Sequence, residues 1–324
     1  MKRMLGCLLA LCMLVGVFAG AVCAEPEKKV AAISLLEDQF MKLQQMGFVA
    51  AAEDHGYTIT VGNSNSDVAK EQELVRTYIE QGYPAIAISL VSGTASLQTL
   101  RDANEAGVAL GITNHFLESE DYLAGCFSSS HYTLGQSTGK VAHDYIVENM
   151  DGKANVGIIQ FMTLTAEGSS QRSGGFLDAL ADLEGVKVVA DQDAWVQDDA
   201  ITVVGDMLTA HPEIDLIWCA NEGGTIGATM AVKNAGLAGK VVVFGTDASE
   251  QIVDLLKSDD NILQATTGQD AFSMGYQAME AAILEVEGTN TTKGQCIEVP
   301  GILLERDKPE ELDAYVENLK TLIG

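Results

Sequence analysis

Beyond the first two dozen residues, short apolar runs alternate with segments of helical periodicity. The strand candidates are "KKVAAISL" (28–35), "YTITVG" (57–62), "YPAIAISL" (83–90), "VALGIT" (108–113) and "YLAGCFS" (122–128). They continue with "ANVGIIQFM" (154–162), "VKVVAD" (186–191), "IDLIWCAN" (214–221), "KVVVFGTD" (240–247) and "ILQATTG" (262–268). Runs that are apolar at consecutive positions, not alternate ones, predict strands covered on both faces, as in parallel sheets. Helical periods such as 39–56 and 67–82 lie between them and stop at Gly56 and Gly82, residues that accept the left-handed conformation at a helix end. Repeated strand–helix alternation predicts an α/β protein of doubly wound parallel sheets.

Ten strands are too many for one comfortable open sheet, so two sheets are expected. A coarse internal repeat agrees. "IEQGYPAIAISL" (79–90) and "LTAHPEIDLIWCAN" (208–221) both read as helix, turn and buried strand. "FSSSH" (127–131) is small and polar, suited to a hinge. The expected units are 25–128 with 270–296, and 129–269 with 297–324. Leu312, Tyr315, Val316, Leu319 and Leu322 fall at helical spacing in the final segment 308–324, predicting a helix that caps one lobe.

The start of the chain has a different character. Met1-Lys2-Arg3 precedes a mostly apolar stretch from Leu5 to Val22, and the small-residue triplets ending at Ala21 and Ala24 suit signal peptidase. Residues 1–24 are therefore expected to be a cleaved signal peptide, and the mature protein extracytoplasmic or periplasmic. Cys23 is an alternative lipid-attachment site, although Val22 before it is not the usual Gly or Ala.

Charge then narrows the partners. Nineteen Lys and Arg against 46 Asp and Glu leave a net charge of −27, which repels phosphate backbones and excludes nucleic acid as a natural partner. Of six cysteines, Cys7, Cys12 and Cys23 lie in the leader, while Cys126, Cys219 and Cys296 are scattered through apolar runs. Neither a disulfide framework nor a metal spacing emerges, and buried free thiols are expected. "NTT" at 290–292 reads as a turn.

Candidate chemistry gathers at strand ends, where open parallel sheets bind their ligands. The first strand is followed by Asp38 and Phe40, and the fourth ends in Asn114-His115-Phe116. Arg172 follows the sixth and Trp195 the seventh, while Asn221, Asp247 and Gln269 close the eighth, ninth and tenth. Amides, carboxylates and one guanidinium match a ligand with many hydroxyls, and flat aromatic faces pack on sugar C–H groups.

The motifs "SSQRSGGF", "IWCANEGGTIGA", "VVVFGTDAS" and "TTGQDAFSMG", in this order and spacing, resemble the type I periplasmic sugar-binding proteins, the ribose-binding-protein-like group. The resemblance runs from about residue 28 to 306. It implies two Rossmann-like lobes joined by three hinge crossovers, closing as a monomer on a sugar or polyol without cofactor or metal. It also implies delivery to an ABC-type permease, with a ligand-sensing role before a chemoreceptor or sensor kinase as the alternative. The same fold serves lactose-repressor-type regulators, but here a signal-like leader replaces the helix-turn-helix.

Carried onto this chain, the family's sugar-contacting residues fall on Arg172, Trp195, Asn221, Asp247 and Gln269. The first lobe departs from the pattern. Asp38, Phe40 and Met41 stand where relatives have Asn and two aromatics, Asn114-His115 where ribose binders have Asp-Arg, and Ser129-Ser130 where they have Ser-Asp. Asp38, Phe40, Asn114 and His115 complete the expected site, with Phe116 a substitute stacking face and His115 a source of pH dependence near 6.5. His55, His131, His143 and His211 read as surface residues. An enzyme is not expected. No nucleophile elbow or HExxH motif occurs, and "EGGTIGAT" (222–229) lacks the dinucleotide spacing.

Overall fold

The computed structural model describes residues 28–323; the expected signal peptide and Cys23 lie outside them. All ten predicted strands are present: β1 (Lys29–Ser34), β2 (Thr58–Asn63), β3 (Ala85–Ser89), β4 (Ala109–Thr113), β5 (Gly125–Ser128), β6 (Lys153–Gln160), β7 (Gly185–Asp193), β8 (Leu216–Cys219), β9 (Val242–Thr246) and β10 (Leu263–Gly268). Two further short strands, β11 (Cys296–Glu298) and β12 (Ile302–Glu305), were not expected. The helices are α1 (Gln39–Asp54), α2 (Val68–Glu80), α3 (Leu97–Glu105), α4 (His131–Asn149), α5 (Ala166–Asp178), α6 (Gln197–Ala210), α7 (Glu222–Asn234), α8 (Glu250–Lys257), α9 (Ala271–Glu287) and α10 (Pro309–Ile323).

The strands form two six-stranded sheets, ordered β11-β5-β4-β3-β1-β2 and β12-β10-β9-β8-β6-β7. These orders superimpose one on the other, and the repeat seen in sequence places β3 and β8 at equivalent positions. Every pairing is parallel except β10 with β12. Both faces of each sheet are apolar, which explains the unbroken hydrophobic runs. In β1, Val30 and Ala32 face one cluster while Ala31 and Ile33 face another. In β8, Trp218 packs on Phe176 (ring centroids 4.9 Å apart) while Ile217 and Cys219 point to the opposite layer.

The chain passes between the sheets three times: after Ser128, after Gly268 and after Glu298. The last differs from the expected cut after Cys296, because β11 pairs with β5 along its whole length, Cys296 to Glu298. Two of the passages are tied together. The Val299 amide donates to the Ser128 carbonyl (3.0 Å), and Ser129 Oγ donates to the Val299 carbonyl (3.1 Å).

α4 and α5 cross at backbone contact in the second lobe. A Cβ on Gly135 would sit 1.8 Å from the Arg172 carbonyl oxygen, so only glycine permits this approach. The crossing sets where Arg172 emerges. α10 packs on α8 and β12 through buried Leu312 and Leu319, and also meets α1 of the first lobe. It is thus more than a cap on one lobe. Among the described residues no helix is long and apolar enough to cross a membrane.

Candidate ligand-binding cleft

The carboxyl ends of strands from both sheets open onto one cleft of about 450 Å³. The first lobe supplies Asp38, the N-cap of α1, and Gln39, Phe40 and Leu43 from the start of that helix. The second supplies Phe161 after β6, Arg172 from α5, Asn221, Asp247 and Gln269 after β8, β9 and β10, and Tyr315 from α10. Six of the nine residues expected from sequence therefore meet here.

Arg172 is the most constrained of them. Its side chain is 6% exposed, its Nη1 donates to the Ala220 carbonyl at 2.8 Å, and its Nε donates to His131 Nδ1 at 3.1 Å. The Asp247 carboxylate lies 3.6 Å from Nη1, and the guanidinium lies over the Phe161 ring, 5.1 Å from its centroid. Burial lowers the guanidinium's pKa and Asp247 raises it, but an arginine keeps its charge under either influence. Nη2 has no protein partner among the described residues and is free to donate to a ligand oxygen.

The polar residues around it are held by local structure. Asp38 N-caps α1, accepting from the Met41 amide at 2.8 Å, and Met41 itself is buried in the first lobe. Asn221 N-caps α7 through Oδ1, accepting from the Gly224 amide at 3.2 Å, while its Nδ2 donates to the Trp195 carbonyl at 2.8 Å. Asp247 Oδ2 accepts from the Glu222 amide at 2.9 Å. Capping and ligand binding are compatible, because a carboxylate has lone pairs for several donors. Gln269 makes no side-chain hydrogen bond among the described residues, so its amide stands ready on the cleft wall. The Tyr315 hydroxyl donates to the Ala248 carbonyl at 3.1 Å. Burial first, then Glu222, Asp270 and Asp247, push its pKa up to about 12, keeping it a neutral donor.

Asn114, His115 and Trp195 do not line this cleft. Asn114 turns into the first lobe, where its Oδ1 accepts from Gln44 Nε2 at 3.0 Å. His115 lies against the Gly93 turn, and burial lowers its pKa. Trp195 is 39% exposed, with its carbonyl fastened to Asn221. Asn114 and Asp247 nevertheless correspond. Each follows the third strand of its sheet in the shared order, and their φ angles are +70° and +76°. That left-handed turn is one that Asn and Asp adopt more readily than most residues.

Comparison with known proteins identifies the architecture. A periplasmic binding protein domain family matches residues 31–290 of this chain. The chain belongs to that family. Similar solved structures show the same fold over nearly nine-tenths of the chain. A Bacillus halodurans ABC transporter solute-binding protein with bound myo-inositol has a TM-score of 0.71 at 20% identity, covering 89% of this chain and 98% of that one. An Actinobacillus succinogenes periplasmic solute-binding protein with bound D-allose has a TM-score of 0.72 at 23% identity, covering 88% and 100%. In sequence, the binding protein is 29% identical to the Escherichia coli ABC transporter periplasmic-binding protein YphF over 90% of both chains. It is 26% identical to an A. succinogenes D-apiose import binding protein over 86% and 88%.

The site also contains a residue that sequence reading placed on the surface. His131, at the start of α4, accepts the Arg172 Nε–H and must therefore be neutral, with its proton on Nε2. Burial and then the Arg172 charge push its pKa down to about 4, against about 6.5 in an unfolded chain. Between those values the unfolded binding protein takes up a proton that the folded one refuses, so stability is lost as the pH drops through that window. Relative to His131→Gln, whose amide oxygen can accept the same bond, the wild type is expected to lose up to about 3 kcal/mol between pH 7 and pH 4. Urea unfolding of both proteins across that range measures the difference. A difference that stays constant with pH removes His131 from this role.

Proposed function

We propose that the protein captures a monosaccharide or a closely related polyol by closing its lobes, and hands it to an ABC-type permease. The observation that carries this reading is the convergence of Arg172, Asp247, Gln269 and Asn221 with the rings of Phe40 and Phe161 on one interlobe cleft. Hydroxyl-rich rings need charge-assisted donors and acceptors around their rim and flat apolar surface on their faces. The cleft supplies both. Relatives named for D-apiose import, D-ribose/D-allose and xylitol support the same ligand class. The import names of the D-apiose relative and of a ribose-binding relative favour delivery to a transporter over the sensory alternative.

Hinge closure fits the three short passages between the sheets. The proposal includes the absence of turnover, since the relatives are binding proteins and the cleft residues serve as caps and ligand contacts. A thermal-shift panel of pentoses, hexoses, inositols and polyols tests it. At a concentration 100 times its Kd, a true ligand is expected to raise Tm by about 5 °C or more. NMR of the bulk ligand should show it unchanged. A panel with no shift overturns the ligand class, and conversion of the ligand overturns the non-enzymatic part.

A further inference from the structure

We infer that Cys126 and Cys296 form a disulfide that staples β11 to β5 beside the hinge. The two residues are direct partners in the parallel register of these strands. Parallel neighbours at one register position project to the same face of a sheet. Consistently, Cys126 belongs to the apolar cluster on one face of the first sheet and Cys296 packs against that cluster. Adjacent strands run about 4.8 Å apart, within the ~4.4–6.8 Å Cα separation that a disulfide spans. The thiols are unbridged in the structure. Cys219, by contrast, is wholly buried in the second lobe and serves as an internal control.

Accessibility sets the order of events. Cys296 is half-buried on β11, the edge strand of its sheet, whereas Cys126 is 2% exposed. The Cys296 thiolate attacks one sulfur of an oxidant disulfide, forming a mixed disulfide and releasing the oxidant's other sulfur as a thiolate. The Cys126 thiolate then displaces the remaining oxidant sulfur, so two protein thiols lose two protons and two electrons and the oxidant disulfide is reduced to two thiols. Outside the cytoplasm, where this family works, a dithiol oxidoreductase supplies that oxidant; oxidised glutathione supplies it in vitro.

The position gives the bond a purpose beyond general stability. Cys126 lies two residues before Ser128 and Cys296 three before Val299, the pair whose hydrogen bond ties the first and third passages. β11 has three residues and a single neighbouring strand, so the segment that carries hinge motion into β12 is held to the first sheet through β5 alone. A covalent clip there makes the two hinge strands leave the first lobe as one unit.

The full chain, purified reduced and incubated with oxidised glutathione, is alkylated under denaturing, non-reducing conditions and digested with trypsin. The expected product joins peptide 102–140, containing Cys126, to peptide 294–306, containing Cys296, while Cys219 in peptide 188–233 is alkylated. Recovery of Cys126 and Cys296 both alkylated, both glutathionylated, or bridged to other cysteines overturns the inference. Reductant should lower the Tm of the oxidised wild type by about 5 °C or more and leave Cys296→Ser unmoved. An equal shift in both proteins counts against the staple. None of these outcomes depends on which ligand the cleft holds.

Discussion

Arg172→Ala is expected to weaken ligand binding by about 100-fold or more in isothermal titration calorimetry. The free Nη2 and the cleft-facing edge of the guanidinium can make two charge-assisted hydrogen bonds to a sugar, each contributing about 1.5 kcal/mol or more. The substitution removes both, and also strips donors from the Ala220 carbonyl and from His131 Nδ1. Arg172→Lys should not rescue binding, because an ammonium cannot reach the carbonyl, the imidazole and the ligand from one plane. Affinity within fourfold of wild type in Arg172→Ala would place the ligand elsewhere.

The second large effect concerns stability. Removing one partner of a buried ion pair strands the other, at a cost of about 3–5 kcal/mol. Asp247 is 29% exposed and 3.6 Å from Nη1, so solvent softens the loss, and Asp247→Ala is expected to cost about 2 kcal/mol. Part of that is the lost cap on the Glu222 amide. With Arg172→Met no charge remains to be stranded, and adding Asp247→Ala should then cost at least about 1 kcal/mol less than it does alone. Urea midpoints of the four proteins in this cycle measure the coupling, and ligand titration should find no binding in the double variant. Additivity within about 0.3 kcal/mol would show that the carboxylate does not stabilise the guanidinium.

These residues were visible in the sequence because strand ends in a parallel sheet are geometrically privileged. With the ten apolar runs as buried strands, Asp38 falls at the carboxyl edge of the first sheet and Asn221, Asp247 and Gln269 at that of the second. Arg172 was visible through the motif around it. What sequence could not supply was side-chain direction. Asn114 occupies the place in the first lobe that Asp247 has in the second, with the same positive φ, yet buried Gln44 on α1 draws its amide inward.

His131 is illegible in the sequence for the opposite reason. It stands at the start of α4, a position that is usually solvated, and only the close crossing of α4 on α5 at Gly135 brings it to Arg172. Phe161 ends an apolar run and Tyr315 sits in an amphipathic stripe, so both read as core until the lobes are placed together. β11 and β12, at three and four residues, are too short to carry a periodic signal. Their pairing is dictated by the strands beside them.

The cleft is built unequally. Most of its polar groups, together with Phe161 and Tyr315, belong to the second lobe, while the first offers Asp38, Gln39, Phe40 and Leu43. For a ligand trapped by closure, this inequality is a division of kinetic labour. The second lobe is complete enough to recognise the ligand while the hinge is open, so it governs the rate of capture. The first lobe shuts the ligand in and governs how long it stays. Changes in Asp38 and Phe40 are therefore expected to alter the residence time, and changes at Arg172 and its neighbours the choice of ligand.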